Sequence, residues 1–345
     1  MAIDHRHTGK HPRNRTQAGM TLLELLVVVF ILASMALLTV SIVDSADEQS
    51  RFEATRTRLD LVKAAIVGPR GVTLNGEPLV TGFVNDMGRL PESLAELIEQ
   101  GGLPDWTFDE TTGLWAGWRG PYLDALLENH VDGSGGMTYT FRDGWDNQGF
   151  TPLFGWKRFG PSVINGDDLL MQSYGAEGLE GGEGYSADYP PEGSETLLRP
   201  RDYLVDVRTL DDITFTEIKN STGRDQVVRL RMLYPRDGDF DCVTNQACWP
   251  ANSQGRDKSP DLSGDRHIST GVSADVTFSF TVGNFPKPIP FGDRALALVD
   301  DKTGTIYDVV WRVKLVPGVA LPSIPELTVT LKNEINNASS SFKTP

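Results

Sequence analysis

Residues 19 to 43 read Gly19-Met20-Thr21-Leu22-Leu23-Glu24-Leu25-Leu26-Val27-Val28-Val29-Phe30-Ile31-Leu32-Ala33-Ser34-Met35-Ala36-Leu37-Leu38-Thr39-Val40-Ser41-Ile42-Val43. One carboxylate, Glu24, interrupts an otherwise uncharged run. As a helix, Leu22 to Val43 is about 33 Å long, close to the ~30 Å of bilayer hydrocarbon. A lone acid in such a segment costs on the order of 3 kcal/mol at mid-helix and less near an end, so it calls for a partner. The run is longer than that of an ordinary secretory signal, which ends at a small-residue cleavage site. Arg6, Lys10, Arg13 and Arg15 precede it. That basic stretch keeps the N-terminus cytoplasmic and sends everything after Val43 across the inner membrane.

Beyond the apolar run, Asp44 to Val67 is rich in charge and lacks Gly and Pro. Phe52, Leu59, Val62 and Ile66 fall close to one helical face, and Gly68-Pro69 supplies the stop. One long helix is expected, half in the membrane and half packed on a globular head.

Gly19-Met20-Thr21-Leu22-Leu23-Glu24, behind a basic leader, resembles the signal of type IV pilins and type II secretion pseudopilins. The resemblance implies that a prepilin peptidase cuts between Gly19 and Met20 and methylates the new N-terminus. Glu24 is then the fifth residue of the mature chain, the acidic position through which family members assemble. A buried glutamate is tolerable there if it meets the N-terminal ammonium of a neighbouring subunit, since a buried charge pair is costly to break. Met20 stands where most members have Phe, and Ser41 where many have Pro.

Downstream, Pro91 to Ile98 reads as a short helix closed by Gly101-Gly102. Met137 to Phe141, Phe150 to Phe159 and Leu169 to Ser173 read as strands. Gly120-Pro121-Tyr122-Leu123, the turn Asp143-Gly144-Trp145-Asp146-Asn147 and the segment Ser173 to Tyr189 are similar, in that order, to the major pseudopilin of type II secretion. The last of these is a calcium-binding loop in that family. Calcium needs six to eight oxygens, and glycines let backbone carbonyls converge. By resemblance the ligands are the Tyr174 and Leu179 carbonyls with Glu177, Glu183 and Asp188; Glu177 replaces the family's aspartate. A solvated acidic loop is the alternative.

After Pro190-Pro191 the pattern becomes strand-like. Tyr203–Val207, Ile213–Ile218, Gln226–Tyr234, Val272–Val282, Ala295–Val299 and Tyr307–Val316 suggest an antiparallel sandwich. This part lies outside the resemblance. Cys242 and Cys248 are spaced for a small disulfide loop in an oxidising compartment, two free thiols being the alternative.

Of the 345 residues, 39% are hydrophobic, enough for a substantial core, and the net charge is -15. An acidic body argues against nucleic acid, which needs clustered Lys and Arg. No phosphate loop, nucleophile elbow or histidine cluster appears, so no enzyme is expected.

The expected fold is α+β: a long N-terminal transmembrane helix, a small antiparallel-sheet head and a β-sandwich-like region. The expected divisions are 1–19 (leader), 20–67 (helix), 68–198 (head), 199–335 (accessory β domain) and 336–345 (flexible tail). The expected role is a structural subunit of a periplasmic pseudopilus, anchored once in the bacterial inner membrane. Its partners are other pilin or pseudopilin subunits, the prepilin peptidase and the assembly platform. The alternative role is a minor pilin or adhesin whose β domain binds a ligand or secreted substrate.

Overall fold

The computed structural model describes residues 21–110, 112–129, 137–148, 153–161, 168–205, 213–223, 226–235, 266–268, 273–278, 288–300, 306–319 and 327–331. The chain divides into two compact units, Met1–Ser50 and Arg51–Pro345. One helix, Leu22–Val67, has 46 residues; it begins in the first unit and ends in the second. No break occurs along it, consistent with Ser41 standing where a proline would remove a backbone hydrogen bond.

In the first unit the described large apolar side chains are bare. Leu22, Phe30 and Leu37 are 82%, 70% and 74% exposed. Two hydroxyls among the described side chains are satisfied locally: Ser34 Oγ donates to the Phe30 carbonyl and Thr39 Oγ1 to that of Met35, each at 2.8 Å. Such back-bonding leaves neither of these hydroxyl hydrogens unmet in an apolar medium. Among the described residues no helix is long and apolar enough to cross a membrane. The side chains of Leu38, Val40, Ser41 and Ile42, within the expected span, lie outside the described set.

In the second unit the helix turns amphipathic as expected: Leu59, Val62 and Ile66 are buried and Phe52 half-buried. Leu59, Val62 and Ile66 join a core with Phe83, Leu97, Trp156 and Met171. The helix stops where the sequence says it should. Gly68 has φ +72°, and a Cβ there would sit 2.6 Å from the Thr81 carbonyl oxygen, so glycine alone ends it cleanly.

The head is built from small sheets. Thr107–Asp109 pairs with Leu114–Ala116, and Leu126–Asn129 with Met137–Thr140. Leu169–Ser173 lies between Trp156–Pro161 and Thr196–Leu198, all antiparallel. The strand expected from Phe150 starts instead at Trp156, because Phe154 and Gly155 both take positive φ. The helix expected over Pro91 to Ile98 is confined to Ala95–Ile98, and Phe83–Met87 adds a short helix that the pattern does not announce.

The later strands form a four-stranded antiparallel sheet in the order Arg266–Ile268, Gln226–Leu233, Gly292–Asp300, Ile306–Leu315. A three-stranded sheet sets Ile213–Asn220 between Ser273–Phe278 and Leu327–Leu331. The last pairing is parallel, where an all-antiparallel arrangement was expected. Both sheets feed one core through Ile218, Met232, Leu298, Trp311 and Leu331.

That same core includes Val62, Phe83 and Trp156, so it draws on both sides of the expected boundary at 198/199. Gly292–Asp300 shows why. Its alternate residues Leu296 and Leu298 face the main core, whereas Ala295, Ala297 and Val299 join a second cluster with Leu114 of the head hairpin. Arg294 is fully buried beside this seam. It donates to the carbonyls of Pro290 at 3.0 Å, Asp293 at 2.8 Å and Asn85 at 3.3 Å, and to that of Phe291. Asp86, also buried, accepts from Tyr122 Oη at 2.9 Å and Asn85 Nδ2 at 2.6 Å, and pairs with Arg119 Nε at 3.1 Å. These buried polar groups are mutually satisfied across the head and the β region, as burial demands.

Candidate functional site

Two places carry the expected functional residues: the start of the long helix and the glycine-rich segment after Leu169–Ser173.

The helix begins at Leu22, directly after Thr21. The Thr21 backbone N–H donates to Glu24 Oε2 at 3.0 Å, and the Thr21 hydroxyl reaches the same oxygen at 3.3 Å. In return the Glu24 N–H donates to Thr21 Oγ1 at 3.2 Å. This reciprocal pair is a capping box, and an acid in the first turn also suits the positive end of the helix dipole. Glu24 therefore has a partner inside its own chain before any other subunit arrives. The signal is in the sequence, a threonine three residues before a glutamate at the head of an apolar run. Reading Glu24 only as an intersubunit charge misses it. Gly19 and Met20, the expected cleavage pair, lie outside the described residues, as do Cys242 and Cys248.

The second place is a loop closed at its base. Ser173 and Tyr189 exchange backbone hydrogen bonds at 2.8 and 3.2 Å. Between them the chain makes two short 3-10 turns, Gly175–Glu177 and Gly184–Ser186. The turns fold back on each other closely: Gly175 has φ +68°, and a Cβ there would lie 2.2 Å from the Ser186 carbonyl oxygen. Tyr185 and Tyr189 rest against Phe52 of the helix, with ring centroids 5.5 and 4.6 Å away.

A turn from elsewhere in the chain buckles the loop. The Asp143 carboxylate accepts from the Trp145 and Asn147 N–H groups, each at 3.1 Å, and from Asn147 Nδ2 at 2.7 Å. Ser173 Oγ donates to the same carboxylate, and Asn147 Nδ2 also donates to the Gly175 carbonyl at 2.8 Å. Thus Asp143-Gly144-Trp145-Asp146-Asn147 and the loop, two separate sequence features, are one hydrogen-bonded structure.

The expected calcium ligands are arranged differently. Glu177, Leu179 and Glu183 are exposed and Tyr174 is half-buried. Asp188 is occupied: Lys157 Nζ donates to its Oδ2 at 2.7 Å, and the Gly181 N–H donates to its Oδ1 at 3.3 Å. Lys157 Nζ also donates to Glu180 Oε1 at 2.8 Å. Burial alone would lower the Lys157 ammonium, but its hydrogen bonds to Asp188 and Glu180 outweigh that and raise it. The Lys157 bond holds the Glu180 carboxyl below the usual carboxylate range. Among the described residues no three His, Cys, Asp or Glu side chains gather where they could hold a metal ion. Of the five expected ligands, Asp188 is thus engaged by an ammonium and a backbone N–H. Lys157, the residue that fills this place, is not singled out by any local pattern.

The family described as the prokaryotic N-terminal methylation motif matches residues 14–40. The N-terminus is of the prepilin type. No curated protein and no solved structure matches the chain. A prepilin-type motif supports a type IV pilin-like family, and with it processing by a prepilin peptidase and assembly with other pilin-like subunits. It covers the residues around Gly19-Met20 and most of the apolar part of the helix, and does not reach the head or the β region.

Proposed function

We propose that this protein is a structural subunit of a pseudopilus, the pilus-like filament of type II secretion. The observation that carries the reading is the coincidence of the prepilin-type motif with a helix whose apolar surface is uncovered in the single chain. Exposed leucine, valine and phenylalanine over that length need lipid or other helices around them. In this reading the leader is cut between Gly19 and Met20, and the helix holds the subunit in the inner membrane with the head and β region in the periplasm. Assembly then exchanges lipid for neighbouring helices. The Gly120 to Leu123, Asp143 to Asn147 and Ser173 to Tyr189 segments, taken in order, are what favour secretion over a surface pilus.

Glu24 has two roles in this scheme. In the isolated subunit it caps its own helix through Thr21; in the filament it takes the Met20 ammonium of a neighbour. The residues named carry no catalytic chemistry in it.

The test is N-terminal sequencing and mass spectrometry of the protein from membranes of cells with and without a prepilin peptidase. The expected product starts at Met20 and bears one N-methyl group. Retention of the leader in both strains overturns the reading. Placing the filament in secretion rather than in a surface pilus requires co-purification with a secretion ATPase platform; recovery only in sheared surface fibres overturns that part.

A further inference from the structure

We propose that Lys157 is the resident cation of the Ser173 to Tyr189 loop, holding its two limbs together so that the loop closes without a metal ion. Glu180 lies on the outgoing limb and Asp188 on the returning one, and the single ammonium bridges them at 2.8 and 2.7 Å. Lys157 sits at the start of Trp156–Pro161, whose neighbour Leu169–Ser173 runs directly into the loop; Trp156 pairs with Ser173 across that ladder. Lys157 falls at the shift in register between Trp156 and Arg158, beside the strand end from which the loop departs. The lysine and Asp188 are 18% and 13% exposed, so this ion pair is largely shielded from water, whereas Glu180 is 73% exposed and its bond is the weaker tie. Shielding is what lets an ion pair fix a geometry instead of being screened away.

Two further observations make the pair a closure rather than a surface contact. Asp188 also receives the Gly181 N–H on its second oxygen and returns its own N–H to the Gly181 carbonyl at 3.0 Å, so both limbs are tied at the same residue. Beyond Asp188, Tyr189 packs on Phe52 and completes the bridge to Ser173. An ammonium at this position also repels a divalent cation, which would have to share Asp188 with it. Of the three carboxylates expected to hold calcium, Glu177 and Glu183 are exposed and Asp188 is half-buried, and it is Asp188 that the lysine occupies.

The experiment uses full-length protein in detergent micelles. Cleavage by a Glu-specific protease at Glu177, Glu180 and Glu183 is mapped by mass spectrometry, in excess calcium and in excess chelator. Wild-type loop cleavage is expected to be the same in both. Lys157→Met is expected to be cut several-fold faster in the loop, with Lys157→Arg restoring protection. Calcium that slows loop cleavage in the wild type overturns the proposal, as does a folded Lys157→Met protein cut at the wild-type rate. If Lys157→Met does not fold, the wild-type comparison decides alone. The readout is local to the loop and independent of cleavage at Gly19, so it stands apart from the filament reading.

Discussion

Thr21 and Glu24 hold each other at the first turn of the long helix, each backbone N–H donating to the other's side chain. The pair separates two functions that a single alanine substitution would blur. Glu24→Gln keeps a side-chain oxygen for the Thr21 N–H and so keeps the cap, but it removes the charge. Filament assembly is expected to fall in Glu24→Gln while amide exchange at residues 22–25 stays at the wild-type rate. Thr21→Ala is expected to do the reverse, weakening the first turn by about 1 kcal/mol and leaving assembly largely intact. Hydrogen exchange and a filament-shearing assay read the two effects.

Asp143 organises the turn that buckles the Ser173 to Tyr189 loop. Asp143→Ala strips the acceptor from Trp145, Asn147 and Ser173 at once and leaves one buried and several half-buried donors unmet. A loss of about 3 kcal/mol follows from the cost of such orphaned groups. The expected outcome is a lower melting temperature for the detergent-solubilised protein, with earlier proteolysis at Tyr185. Asp143→Asn, which keeps one acceptor oxygen, is expected to lose less.

Arg294 is buried among backbone carbonyls, and burial pulls its guanidinium down to about 10 against the opposing influence of Asp293. Its planar fork serves several acceptors that a lysine ammonium cannot span together. Arg294→Lys is therefore expected to destabilise by about 2 kcal/mol or more. Arg294→Leu, which leaves the carbonyls of Asn85 and Phe291 without a donor, is expected to cost more still. Thermal denaturation followed by tryptophan fluorescence gives the order.

Asp86 provides a pH signature with an unusual sign. Burial raises its carboxyl above 3.8, while Arg119, Asn85 and Tyr122 oppose the rise. Between 3.8 and that raised value the folded chain binds a proton that the unfolded chain does not. This group therefore adds stability as pH falls through the window, opposite to an ordinary salt-bridged acid. Nuclear magnetic resonance titration is expected to place Asp86 above 3.8, and Arg119→Met to move it higher. A midpoint at or below 3.8 rejects the assignment.

Much of the helix was readable because two independent periodicities meet in it: an unbroken apolar run, then Leu59, Val62 and Ile66 on one face. Leu169–Ser173 was likewise found at its true ends, since turn-forming residues flank it. What escaped was set by pairing between distant segments. Lys157 is an unremarkable lysine until strand register carries it to Glu180 and Asp188. The parallel strand Leu327–Leu331 depends on a partner more than a hundred residues away. One missed signal was present locally: Ala295 to Val299 is apolar at every position, the mark of a strand buried on both faces rather than one.

That doubly covered strand has a practical consequence for anyone engineering the protein. Because Leu114 from the head lies against Ala295, Ala297 and Val299, residues 199–345 are not a detachable passenger. Excising them would unroof the hairpin, and expressing them alone would leave a greasy sheet face in water. Tags or reporters belong at exposed turns such as Asn75-Gly76, where the chain can be opened without parting the two halves.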